Sequence, residues 1–250
     1  MRTLAEHIET ASIANYRKGN RLNGRYVVLG KIGTGWEGIT YKVRDRFDGR
    51  TKALKLITNV RRRKSILSQA RVLVRLKHPN IIDYFNVDRL HVDGQSHYFL
   101  LVDYLEGPRL SEVIKKHHRK HKKPNLFYML RVFYQICRGM AYVHDQRILH
   151  DDLHTDNIIV TGDPTQPIPK LFDFWGTQGA RKISRRSFDL QCAGQVLFEC
   201  MTGKETYKAK DLGRLPDDIA AIIRRAHGRV HNYKSFHEII DDLEELRSWD

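Results

Sequence analysis

The apolar pattern changes period once along this chain, and that change limits the folds open to it. Up to Asp103 the apolar residues fall in short strand-like runs separated by turns. Tyr26–Leu29, Gly38–Val43, Lys52–Thr58, Ile81–Val87 and Tyr98–Val102 predict strands, with turns at Asp48-Gly49 and Asp93-Gly94. A single interruption, residues 64–77, carries Ile66, Leu67, Ala70, Leu73, Val74 and Leu76 at helical spacing. After Gly107-Pro108 the spacing is mainly helical, most clearly over residues 126–140, 188–202 and 235–247. A strand-rich half followed by a helical half predicts an α+β fold of two lobes, an antiparallel sheet with one large helix and then a mainly helical lobe. The expected organisation is an extension over 1–24, a first lobe over 25–103 and a second over 104–250.

Composition narrows the partners. The chain of 250 residues carries 44 Lys and Arg against 29 Asp and Glu, a net charge of +15. Residues 1–100 hold 20 basic and 8 acidic residues, and no acid occurs between Asp48 and Asp83. Such charge suits nucleic acid, an anionic membrane surface or an acidic protein. No apolar run is longer than Tyr98–Val102, so no membrane span is expected. The N-terminal region lacks an apolar stretch, and Cys137, Cys192 and Cys200 show no paired spacing. A cytoplasmic, reducing setting is the expectation.

Four segments carry chemistry. Gly33-Thr34-Gly35-Trp36-Glu37-Gly38 joins two strands, and glycines there let backbone N–H groups approach phosphate. The residues after Gly38 read as a strand, which argues against a dinucleotide fold. Lys55 follows Gly38 by seventeen residues inside an apolar strand, where a lysine calls for an anionic partner. His150-Asp151-Asp152-Leu153-His154-Thr155-Asp156-Asn157 precedes an apolar strand, and Leu171-Phe172-Asp173-Phe174 follows it. Carboxylates and an amide in such turns suit Mg²⁺, which prefers oxygen ligands.

Taken in order, with His78-Pro79-Asn80-Ile81-Ile82, Val102-Asp103-Tyr104-Leu105 and a helix opening at Asp189–Gly194, these segments resemble the protein-kinase superfamily. The opening around Leu22–Tyr26 is most similar to bacterial kinases of the eukaryotic-like Ser/Thr type. The resemblance implies ATP and Mg²⁺ as cofactors and a protein substrate. It implies that Gly33, Gly35 and Gly38 cover the phosphates and that Lys55 pairs with them. Thr40, Ala53 and Ile159 would enclose adenine, with main-chain groups of Asp103 and Leu105 on its edge. Asp152 would orient the acceptor hydroxyl and accept its proton, with His154 in the catalytic loop. Asn157 and Asp173 would hold the metal.

The departures define an atypical form. Family members carry a helix glutamate that holds the lysine; here the position is Gln69, and no glutamate lies between Glu37 and Glu106. Asp151 replaces an arginine that receives an activation-loop phosphate. Only sixteen positions separate Asp173 from Asp189, so the activation segment is truncated. This predicts a kinase not controlled by activation-loop phosphorylation. Trp175 and Glu37 are further departures, and a trimmed segment is also seen in secreted effector kinases. A pseudokinase scaffold and a small-molecule kinase similar to the aminoglycoside phosphotransferases are the alternatives. The basic residues around 60–77 admit an acidic protein partner. Lys115–Lys123 is a second basic run, and the absence of interleaved aromatics argues against a nucleic-acid groove.

Overall fold

The computed structural model describes residues 15–35, 38–58, 70, 72–92, 95–120, 125–174, 182–228 and 232–246. The chain forms two compact units, Met1–Lys77 with Asp83–Tyr104, and His78–Ile82 with Leu105–Asp250.

The first unit is an antiparallel six-stranded sheet of β1 (Arg21–Leu22), β2 (Tyr26–Thr34), β3 (Gly38–Asp45), β4 (Thr51–Ile57), β5 (Tyr84–Val92) and β6 (Gln95–Asp103), in the order β1-β2-β3-β4-β6-β5. Side chains alternate between faces along each strand. One face gathers Val28, Ile39, Tyr41, Val43, Leu54, Leu56, Phe99 and Leu101 into an apolar core. Residues 15–24, read above as an extension, contribute to this core. Leu22 is buried in it, Tyr16 packs against it, and the Val28 N–H donates to the Asn20 carbonyl at 2.9 Å.

The same face ends in charge. The Asp45 carboxylate is fully buried and receives both the Arg25 guanidinium (2.9 and 2.7 Å) and the Lys52 ammonium (2.8 Å). The Phe47 N–H donates to it as well, at 3.0 Å. Lys52 is itself buried, and it also meets Asp48. Register explains the cluster: Val43 pairs with Lys52 across β3 and β4, so Lys52 stands beside Asp45 at the end of the core face. Of the helix expected over 64–77, Ala70, Val72 and Leu73 are helical; residues 59–69 and Arg71, with Gln69 and the basic 61–64 run, lie outside the described residues.

The second unit is built on α1 (Leu110–Lys120), α2 (Leu126–Asp145), α3 (Lys182–Thr202), α4 (Asp217–His227) and α5 (Phe236–Glu244), with a hairpin of β7 (Ile158–Asp163) and β8 (Gln166–Leu171). Asn125 caps α2 by accepting from the Tyr128 N–H, and Ser235 caps α5 by accepting from the Glu238 N–H. The buried stripe of α2, including Met129, Leu130, Phe133, Ile136 and Met140, matches the periodicity of the sequence. Among the described residues, no helix is long and apolar enough to cross a membrane.

Two expected elements move. The strand expected over Ile81–Val87 begins only at Tyr84, because Ile81 and Ile82 belong to the second unit. There the Ile82 N–H donates to the Leu171 carbonyl, and the Leu171 N–H donates to that of Asn80. The helix expected to open at Asp189 begins instead at Lys182. The strand β8 contains Pro167 and Pro169, which pair with Gly162 and Val160. These share the parity of Leu171, whose N–H points away from β7, so neither proline removes a ladder bond. Their carbonyls accept from Gln135 and Asn80 instead.

The ion cluster predicts a clear stability result. Arg25 first, and Lys52 after it, hold the Asp45 carboxyl well below the usual carboxylate range. Its contribution is therefore complete above about pH 4 and is lost as pH falls toward the depressed folded value. Asp45→Ala leaves the buried Lys52 with Asp48 alone as its anionic partner and should cost about 2–3 kcal/mol, less than the loss of a sole partner. Denaturant melts should show that loss at pH 7 and a shallower acid slope than in the parent.

Candidate active site

In the first unit the site residues share one face of the sheet. Thr40 lies opposite Lys55, and Lys42 lies opposite Ala53. On the other side Leu100 faces Lys55 and Val102 faces Ala53. Ala53 and Lys55 therefore stand on the face opposite Leu54 and Leu56, and Thr40 stands with them. Gly33 pairs with Thr40, which brings the glycine hairpin to that same row. Its tip closes through the Gly35 N–H to the Gly38 carbonyl at 2.9 Å.

The three glycines serve different purposes. A Cβ on Gly38 would fall 1.8 Å from the Leu56 carbonyl oxygen, so packing alone requires glycine there. A Cβ on Gly33 or Gly35 would meet nothing within 4 Å. No neighbouring group demands those two, and their bare backbone leaves room for a ligand to approach. Asp103 ends β6, with its N–H on the Asp83 carbonyl at 2.9 Å. Glu37 and Trp36 lie outside the described residues.

In the second unit the loop after α2 carries Asp152, His154 and Asn157. The chain turns sharply there, with Asp151 at φ +65°, a region that aspartate tolerates better than most residues. The loop is held from α3. The Asp189 carboxylate, fully buried, accepts the backbone N–H of His150 at 2.9 Å and of Asp151 at 2.8 Å, and it accepts the His144 Nε2–H at 2.9 Å. A charge buried without such donors would be costly, so the bonds fix both the carboxylate and the loop. Sequence reading placed Asp189 only as a helix-opening residue and missed His144. The available signal was an aspartate flanked by Phe188 and Leu190.

Beyond the clamp, the exposed carboxylate of Asp152 accepts the Asn157 Nδ2–H at 3.2 Å, and its carbonyl accepts the same amide at 2.9 Å. His154 Nε2 stands 3.6 Å from the Asp152 carboxylate, while Nδ1 accepts the Asp156 N–H. In the neutral ring Nε2 therefore carries the proton. A short 3₁₀ turn, Thr155–Asn157, is tied down on two sides. Thr155 donates to Glu199 at 2.9 Å, and Ser111 donates to the Asp156 carboxylate. Burial pushes the Glu199 carboxyl up.

The β7–β8 register joins the remaining pieces. Ile158 pairs with Leu171, and the Phe172 N–H donates to the Asn157 carbonyl at 3.1 Å. Asp173, at φ +62°, follows immediately, so Asn157 and Asp173 leave the same end of one hairpin. Phe174 packs on His150 with ring centroids 4.5 Å apart. Burial lowers the His150 pKa, and neither ring nitrogen has a hydrogen-bond partner among the described residues, so the ring serves as a neutral spacer. Ile159 lies beside the 107–109 segment, where a Cβ on Gly107 would meet the Val160 carbonyl at 2.3 Å. Leu105, half-buried, begins that run. Cys192 on α3 is no nucleophile, because burial and the charges of Asp189, Asp152 and Asp151 push its thiol up to about 12. Trp175 lies outside the described residues.

A family model described as the protein kinase domain matches residues 26–209. The chain belongs to the protein kinase family. Serine/threonine-protein kinase ATG1b of Arabidopsis thaliana is 26% identical over 211 residues, covering 83% of this kinase chain and 27% of that protein. Serine/threonine-protein kinase PknD of Chlamydia muridarum is 31% identical over 148 residues, covering 54% and 15%. The kinase chain thus spans about a quarter or less of the length of these curated relatives. The crystal structure of the PknI kinase domain of Mycobacterium tuberculosis, a double mutant, matches with a TM-score of 0.73 at 20% identity. That match covers 92% of this chain and 98% of the other, and it carries the two-lobed α+β kinase fold.

The Asp189 clamp is open to direct test. Asp189→Ala leaves two backbone N–H groups unpaired, at about 1–3 kcal/mol each. Amide exchange at His150 and Asp151 should accelerate and the melting temperature should fall. Unchanged exchange at both would show that the loop does not depend on the clamp.

Proposed function

We propose that this chain is an active Ser/Thr protein kinase that transfers the γ-phosphoryl group of ATP without control by activation-loop phosphorylation. The observation that carries the reading is the intact, clamped catalytic loop, with Asp152 exposed, oriented by Asn157 and adjacent to His154.

In this reading Asp152 accepts a hydrogen bond from the acceptor hydroxyl and takes its proton as the new P–O bond forms and the bond from the γ-phosphorus to the bridging oxygen breaks, with ADP leaving. The Asn157 amide keeps that carboxylate fixed, and His154 carries an Nε2–H beside it for the phosphoryl oxygens. Lys55, on the sheet face with Thr40 and Ala53, pairs with the α- and β-phosphates. Gly33 and Gly35 put no side chain between the hairpin backbone and the phosphates. The adenine edge is read by main-chain groups of Asp103 and Leu105, and Ile159 covers the ring.

The donor set fits Mg²⁺. The Asn157 nitrogen is committed to Asp152, which leaves the amide oxygen for a hard cation, and Asp173 supplies a carboxylate. Among the described residues no group of three or more His, Cys, Asp or Glu could hold a metal. A cation held by two protein oxygens, with phosphate completing its shell, is the usual way Mg²⁺ binds. When bound, it would neutralise charge on the phosphates.

Independence from loop phosphorylation rests on two features. Asp151 puts an anion where a phosphate-binding arginine would stand. The α3 helix starts at Lys182, so seven residues, 175–181, connect Phe174 to it.

Purified protein with Mg-ATP should phosphorylate a Ser/Thr protein substrate. Asp152→Ala should lower kcat by roughly 10²–10⁴ while ATP affinity stays within about twofold. Asn157→Ala should raise the Mg²⁺ concentration needed for half-maximal rate. Transfer that Asp152→Ala leaves unchanged, or phosphate entering metabolites and never protein, would overturn the proposal.

A further inference from the structure

The β3–β4 turn holds an aromatic ring in water. Phe47 is 80% exposed at the apex of a turn whose backbone is held by several hydrogen bonds. The Asp45 carboxylate accepts the Phe47 N–H, and its carbonyl accepts the Gly49 N–H at 2.9 Å. The Asp45 N–H donates to the Arg50 carbonyl at 2.9 Å, and Asp48 accepts the Arg50 N–H at 2.8 Å. Gly49 sits at φ +72° to close the loop. The apex is therefore preorganised, and a partner meeting it would not have to order it.

Cations share this end of the hairpin with the ring. Arg44, Arg46 and Arg50 are exposed on the same hairpin end. The Arg25 guanidinium lies 4.8 Å from the Phe47 ring centre, and Arg46 donates to the Gly24 carbonyl, which keeps it against the same edge. Lys52 lies 5.0 Å from the ring centre of Phe85, a second partly exposed aromatic at 38%. Both acids of the turn are already matched, Asp45 by Arg25 and Lys52, and Asp48 by Lys52. The surface thus presents uncompensated arginine charge around a projecting apolar tip.

We propose that this end of the sheet is a docking surface for an anionic lipid bilayer. Arginines at the headgroups combined with an aromatic inserted at the interface make a two-part anchor, each part weak alone. A bilayer needs no complementary pocket, which suits a convex apex carrying one ring. A single-stranded nucleic acid would want aromatics spaced along a basic track. Here the second ring lies on β5, and the anchor is a tip. Attachment is peripheral, since the ring would reach only the interface.

The test is co-sedimentation of the full chain with vesicles at physiological salt. Binding should occur with phosphatidylserine–phosphatidylcholine vesicles and not with pure phosphatidylcholine. Phe47→Ser should weaken partitioning about tenfold, as expected for one partly inserted aromatic. Arg46→Gln with Arg50→Gln should weaken it about 25-fold, at roughly fivefold per charge. Both variants alter exposed side chains, and unchanged thermal unfolding confirms their fold. No binding to the anionic vesicles would overturn the proposal. So would charge-dependent binding that Phe47→Ser leaves intact, the signature of a general polyanion site for nucleic acid or acidic protein.

Discussion

One buried carboxylate sets the geometry on which the second unit's chemistry depends. Asp189 sits on α3 with no solvent access, and its charge is balanced by two loop N–H groups and by His144. The bonds run in both directions. The loop donors make a buried anion tolerable on a helix, and the anion holds the loop that carries Asp152 and Asn157. His144 comes from α2, so three segments converge on one side chain. The His150 ring then packs on Phe174, immediately after Asp173.

The first unit uses a parallel device. Asp45 anchors the end of the core face by accepting Arg25, Lys52 and the turn backbone. Its partner Lys52 lies three residues before Lys55 and on the opposite face of β4. Strand alternation alone decides that one lysine is structural and the other faces the row of Thr40 and Ala53. Both units thus use a buried aspartate to fix a turn, one at the Asp152 loop and one at a projecting basic tip.

What was legible in the sequence was local. The strands around Tyr26, Gly38, Lys52 and Tyr98, and the long helix from Leu126, follow from apolar period. Placing Ala53, Lys55 and Thr40 on one face needs only the pleat and the register of a hairpin. What was hidden depended on distant partners. The β8 strand was masked by Pro167 and Pro169, which are harmless only because of the direction their N–H groups would have taken. Ile81 and Ile82 look like the start of a sheet strand, yet they bond Leu171, ninety residues on. Asp189 reads as an ordinary acid until the loop it clamps is known. The starting residue of α3 was missed because residues 182–187 carry little apolar periodicity.

In the proposed kinase the clamped loop suffices for activity without a phosphate to organise it. Asp151 should repel such a group, and Asp189 already supplies the fixed anion at that turn. The most direct measurement compares kcat of the protein after exhaustive phosphatase treatment with that of the autophosphorylated protein, phosphate content being verified by intact mass. Equal values are predicted. A phosphatase-treated protein that is inactive until phosphorylation restores transfer would contradict the account.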